Sequence, residues 1–142
     1  MAITLNIPCR DAILDSGLNT AFDSGKLCFY TGAKPATANL VPSGTKIFEE
    51  DLPADSFGAS SGGVIAKAGT WASVGLTPGG TAGYFRFKGA GDDDSEDGDF
   101  PRIDGVITTV AVGTGDLLLD NTSIATDQAV TVSTFTFTMP AA

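Results

Sequence analysis

The stretch Ala82-Gly83-Tyr84-Phe85-Arg86-Phe87-Lys88 alternates strictly, with Phe85 and Phe87 on one side and Tyr84, Arg86 and Lys88 on the other. A period of two is the signature of a β-strand with one buried and one solvated side. The turn Thr77-Pro78-Gly79-Gly80-Thr81 sets it off from what precedes it. Working outward, the same reading predicts strands over Lys26–Thr31, closed by Gly32 and the loop Ala33-Lys34-Pro35-Ala36, then over 45–51, 63–67, 103–112, 116–119 and 129–139. In the last of these, Val130 and Val132 share one parity whereas Phe135, Phe137 and Met139 share the other. The apolar face therefore changes sides near Ser133-Thr134, which predicts a β-bulge or a bend between sheets.

One segment has helical spacing. Between Asp11 and Phe22, the residues Ile13, Leu14, Leu18 and Phe22 recur on one face, with Asp11 placed to cap the start and Gly25 to stop the element. Gly17 opposes this helix, since an interior glycine costs about 1 kcal/mol relative to alanine. There is no βαβ rhythm and no internal repeat. The pattern predicts an all-β fold, an antiparallel sandwich or barrel of short strands with one short N-terminal helix. Residues 1–10 form an N-terminal arm, and 11–142 a single domain carrying an acidic hairpin loop at 91–100.

Composition excludes several functions. The 142 residues include 17 acidic and 8 basic side chains and no histidine, for a formal charge of −9. Such a chain lacks the commonest general acid and base, lacks the imidazole ligands of most catalytic zinc sites, and is repelled by nucleic acid phosphates. No apolar run approaches the roughly 20 residues that span a bilayer. Met1-Ala2-Ile3-Thr4-Leu5 shows no basic lead into an apolar run, so no signal peptide is expected and synthesis is placed in the cytosol. Cys9 and Cys28 lack CxxC spacing and are expected as buried thiols, with a disulfide between them geometrically open. No cofactor, nucleic acid or membrane partner is expected, and no enzymatic activity.

The run Asp92-Asp93-Asp94-Ser95-Glu96-Asp97-Gly98-Asp99 holds six carboxylates in eight residues. A solvated, mobile loop is the expectation. The alternative is a calcium loop with Asp93, Ser95, Asp97, Asp99 and Asp104 as ligands, although Pro101 is unusual there and no helices flank it. A second acidic group, Glu49-Glu50-Asp51 with Asp55, could pair carboxylates as in a glycosidase, but charges on the outer face of a strand explain it more simply. The glycine-rich pieces 58–63 and 79–83 lack the Gly-Lys-Ser/Thr ending of a phosphate loop and are read as turns.

Taken together, the short N-terminal helix, "KLCFYTGAKPATA", "FGASSGGVIAKA", "GTAGYFRFK" and "DGVITTVAVGTGDLLLDNTSIATDQAVTVSTFTFTMP" resemble a family of small tailed-phage and prophage proteins over roughly residues 11–140. The long acidic 92–99 loop departs from that family's pattern. The resemblance implies a virion structural protein with a jelly-roll-like β-sandwich, a capsid decoration or cement protein. Such a protein is made in the host cytoplasm, sits as a homo-oligomer on the capsid surface and stabilises the major capsid protein shell. Candidate interface residues are Ile3, Leu5 and Ile7, as an arm pairing with a neighbour, together with Tyr30, Trp71 and Tyr84. The alternatives are a tail, baseplate or fibre-associated protein, and a calcium-dependent carbohydrate-binding module using the 92–104 loop.

Overall fold

Alternation, turn chemistry and apolar parity produce a chain of short strands in the computed structural model, which describes residues 3–6, 9, 13, 17–96 and 99–138. The strands and helix in order are β1 (Thr4–Leu5), α1 (Gly17–Ala21), β2 (Lys26–Thr31), β3 (Lys46–Asp51), β4 (Val64–Ala66), β5 (Trp71–Val74), β6 (Gly80–Lys88), β7 (Arg102–Thr109), β8 (Leu117–Leu119), β9 (Ser123–Ile124), β10 (Ala129–Val132) and β11 (Thr136–Thr138). The all-β class is as expected. The main sheet runs β1-β7-β6-β2-β3, with β8 beside β7 and β9 beside β6.

A second layer covers the phenylalanine face. It is a ribbon in which β5 pairs with β10 and β4 with β11, both antiparallel. It is tied to the sheet at β3, where Phe48 bridges Gly75 and the Leu76 N–H donates to the Ile47 carbonyl. Between the layers lie Phe85 and Phe87 of β6, Phe29 of β2, Phe48 of β3, and Trp71, Phe135 and Phe137 of the ribbon, all buried. Phe29 and Phe48 stack with centroids 4.4 Å apart, and Trp71 meets Phe87 edge-on at 5.6 Å. Each such ring removes enough apolar surface from water to contribute about 1.5–3 kcal/mol.

The irregularity expected near Ser133-Thr134 is present, with Val132, Phe135 and Phe137 all buried. Val132 faces Trp71 and Phe137 faces Ile65, so five steps on one strand oppose six on the other. The extra residue therefore sits in the 65–71 partner, and the parity change in the C-terminal strand answers it.

Much of the helix predicted over 11–22 lies outside the described residues, Asp11 and Leu14 among them; within them Ile13 is helical and α1 runs over Gly17–Ala21, with Gly17 at a φ of +83°. Three expectations need correction. The fold is not wholly antiparallel, since β8 runs parallel to β7. Asp116 makes this possible across a short connection: its N–H donates to the Val106 carbonyl, and its carboxylate accepts the Val106 N–H. The strand predicted to reach Val112 ends at Thr109, and β5 and β9 are additions that short runs without clean alternation concealed. Lastly, the arm expected to reach a neighbour pairs within its own chain, Thr4 opposite Asp104 and Leu5 opposite Ile103. Asn6 anchors it by donating to the Phe100 carbonyl at 2.7 Å and accepting the Arg102 N–H at 3.2 Å.

Gly83 occupies a bulge, since Tyr30 faces Tyr84 while Thr31 faces Ala82. A Cβ there would lie 1.9 Å from the Gly32 carbonyl oxygen, which is backbone and cannot swing aside. Gly83→Ala should therefore lower the urea midpoint by the equivalent of about 1–3 kcal/mol or more, and Phe135→Ala by about 3–5 kcal/mol. Equilibrium unfolding followed by Trp71 fluorescence measures both.

Candidate functional site

The face of the sheet opposite the aromatic core is not solvated. Strand register lines up three cross-strand rows on it. Asp51, Lys26, Lys88 and Arg102 form one, Glu49, Cys28, Arg86, Asp104 and Thr4 the next, and Lys46, Tyr30, Tyr84 and Val106 the third. Five of the chain's 8 basic residues, Lys26, Lys46, Arg86, Lys88 and Arg102, thus share one face. Arg86 and Arg102 are 0% exposed and Lys88 is 4% exposed. The expectation that Tyr84, Arg86 and Lys88 face water is overturned. Two loops lie across them, and alternation along one strand carries no information about what another segment places on its polar side.

The first cover is the 32–45 connection. Its backbone carbonyls at Ala38, Asn39, Leu40 and Ser43 accept from Arg102, Arg86 and the Tyr84 hydroxyl. The second is the acidic connection after β6. Asp92 accepts two hydrogen bonds from the Arg102 guanidinium at 2.5 and 2.6 Å, with both side chains fully buried. Asp94 lies at the centre, accepting from Lys88 Nζ at 2.7 Å and from the Tyr30 hydroxyl at 2.8 Å, with Arg86 Nη1 at 3.6 Å. Beneath it, Asp104 grips Arg86 through Nε at 2.7 Å and Nη2 at 2.8 Å. Tyr30 and Tyr84 stack with ring centroids 5.1 Å apart. Burial and the Asp94 carboxylate both push the Tyr30 phenol far above its ordinary range.

The acidic run is therefore divided in its roles. Asp92 is buried and Asp94 half-buried, while Asp93, Glu96 and Asp99 are exposed, so the expected solvated loop is pinned to the sheet at two aspartates. This also separates the calcium candidates. Asp104 is fully buried against Arg86, Asp93 turns to the Ser95 N–H, the Ser95 carbonyl accepts from Arg102, and Asp97 lies outside the described residues. Among the described residues no three His, Cys, Asp or Glu side chains come together to hold a metal ion.

The interface candidates are placed as follows. Tyr30, Trp71 and Tyr84 are at most 3% exposed, buried within this chain, so none of them offers a surface to another. Ile3 packs against the core, Leu5 takes part through its backbone, and Ile7 lies outside the described residues. Among the described residues the large outward apolar side chains are instead Leu40, Val41, Val74, Val110, Val112 and Leu118. The second acidic group is split by the strand pleat. Glu49 and Asp51 stand on the polar face, whereas Glu50 turns to β5 and accepts from the Ala72 N–H.

Compared with family models, curated proteins and solved structures, the chain matches none. Among the described residues no helix is long and apolar enough to cross a membrane.

Charge and burial shift the remaining groups in opposite directions. Burial acts to raise the Glu49 carboxyl, but hydrogen bonds from Lys46 and Lys26 outweigh it and hold the group at about 2. Burial pushes the Cys9 thiol up to about 12 and Cys28 up to about 11. The two cysteines are free, one in the aromatic core and one on the polar face, with the sheet between them. The site as a whole acts as a clamp, in which paired charges fix two long loops to one sheet.

Asp92→Asn should destabilise the fold by about 3–5 kcal/mol, because it leaves a buried guanidinium uncompensated; Asp93→Asn, on the exposed side of the same loop, should leave the unfolding midpoint unchanged. Glu49, depressed in the folded state, contributes stability that is complete above its unfolded value of 4.5 and is lost as pH falls toward 2. Glu49→Gln should flatten that part of the acid unfolding curve, read by circular dichroism. Neither thiol should react with Ellman's reagent until the protein unfolds.

Proposed function

We propose that this chain is a structural protein of a tailed-phage particle, a capsid decoration protein that binds the assembled shell of major capsid protein and stabilises it. The two layers are read as a jelly-roll-like sandwich, and the protein acts as a homo-oligomer on the capsid surface. The observation that carries the reading is the inversion of the usual surface. Arg86, Lys88 and Arg102 are buried, whereas Val41, Val110 and Val112 are 55–60% exposed. Apolar side chains held outward, Val41 on the clamped 32–45 loop and Val110 and Val112 on the turn between the paired β7 and β8, suit contact with other proteins. The sequence resemblance over residues 11–140 supports the virion as the setting.

A protein that binds the assembled shell and not free subunits stabilises the shell by mass action. Particles lacking this chain should bind the purified protein and gain resistance to heat. Cryo-microscopy should find it in hundreds of copies, on the order of the number of shell subunits. A few copies at the portal or tail would replace the decoration reading by the tail-associated one, and failure to bind or protect would overturn both.

A further inference from the structure

We propose that the open edge of β8 is a docking site for an extended segment of a different protein, apolar in its middle and basic at its ends, added as a strand along a cleft. This deepens the preceding reading by naming a surface and the chemistry of its partner, and it rests on that reading only for the partner being a capsid component.

Among the described residues β8 pairs with β7 alone, and β10 and β11 pair only with β5 and β4. These edges face one another across two grooves of about 200 Å³ each. The first groove sets Asp116 and Leu118 against Phe135; the second sets Leu119 and Asp120 against Val130. One wall thus advances from 115 to 121 as the other returns from 136 to 128, so the grooves lie end to end along the outer side of β8. An extended chain laid there pairs its backbone with β8 and sends alternate side chains into the grooves.

Of the devices that blunt exposed edges, β8 has shortness, at three residues, and lacks lysine and proline. It reads Leu117-Leu118-Leu119, with Leu117 and Leu119 buried in the core and Leu118 38% exposed, and the adjoining turn presents Val110 at 57% and Val112 at 60%.

Charge selects the occupant. After Arg102, which is fully buried, the chain contains no lysine or arginine to its end at 142. The charged side chains that line the two grooves are Asp116 and Asp120. A second copy of the chain would bring the same aspartates together, and like charges across a strand pair are destabilising. A segment with lysine or arginine beyond an apolar, β-branched centre meets both requirements.

The test titrates the isotope-labelled full chain with a synthetic peptide of about nine residues alternating valine and threonine, with lysines at each end, against a twin carrying glutamates there. The expected result is amide shifts centred on 117–119 and 128–136 with the lysine peptide. Binding should be weaker by about tenfold or more for the glutamate twin and for Leu118→Lys. Leu118→Lys lies at an exposed position, and an unchanged circular dichroism spectrum establishes that it folds. Shifts confined to Asp93 and Glu96, shifts at a separate groove of about 230 Å³ lined by Ile13, Leu18, Ile65 and Phe137, equal binding of both peptides, or none at about 1 mM would overturn the proposal. Particle binding separates the two readings. If Leu118→Lys decorates particles as well as the wild type, this inference fails and decoration stands; if the peptide binds but the wild type ignores particles, decoration fails and the docking edge stands.

Discussion

Four cations on adjacent strands of one sheet face, Lys26, Lys88, Arg102 and Arg86, set the condition that the rest of the structure must meet. Side by side they repel one another, and buried without partners they are untenable. Asp104 neutralises Arg86 from within the sheet, Asp51 and Glu49 meet Lys26 at its edge, and Asp92 and Asp94 come down from the loop above. Each guanidinium also takes carbonyls of the 32–45 loop, so the satisfied charges double as fasteners for both long connections. The acidic loop is in this sense an internal counterion.

The two faces of the sheet divide the work. On one, aromatic rings interlock with the ribbon and supply the non-directional part of the stability. On the other, hydrogen-bonded charges contribute little net stability but hold the loops in one arrangement, since a displaced loop would strand a buried charge. Residue parity in β2, β6 and β7 assigns each side chain to one face or the other, so a one-residue slip would exchange the two environments and is strongly opposed. The bulge at Gly83 and the mismatch between 65–71 and 132–137 absorb the curvature this demands.

Consuming its cations internally leaves the chain with a surface that is acidic and locally apolar. Of the exposed valines, Val41 lies on the clamped 32–45 loop and Val110 and Val112 on the turn between the paired β7 and β8, and the β8 edge lies within the longest stretch of chain without a basic residue. Both features favour work done by contact with other proteins, which is the basis of the decoration reading.

The alternation at 82–88, the parity switch near 133 and the turn glycines were legible in the sequence, because strand periodicity and backbone sterics act over a few residues. So was the concentration of charge at 92–99. The division of that run was not. Asp92 and Asp94 differ from Asp93 only in pointing toward cations brought within 3 Å by strand pairing across the sheet. The same holds for Asn6, whose partners stand 94 and 96 residues away, and for Tyr30 and Tyr84, interface candidates in the sequence and buried neighbours in the fold. By itself the sequence determined a histidine-free, acidic, strand-rich chain with a defined aromatic face. Tertiary structure alone decided which charges are buried, which loop covers them and which edge is left open, because burial depends on segments distant in sequence coming together.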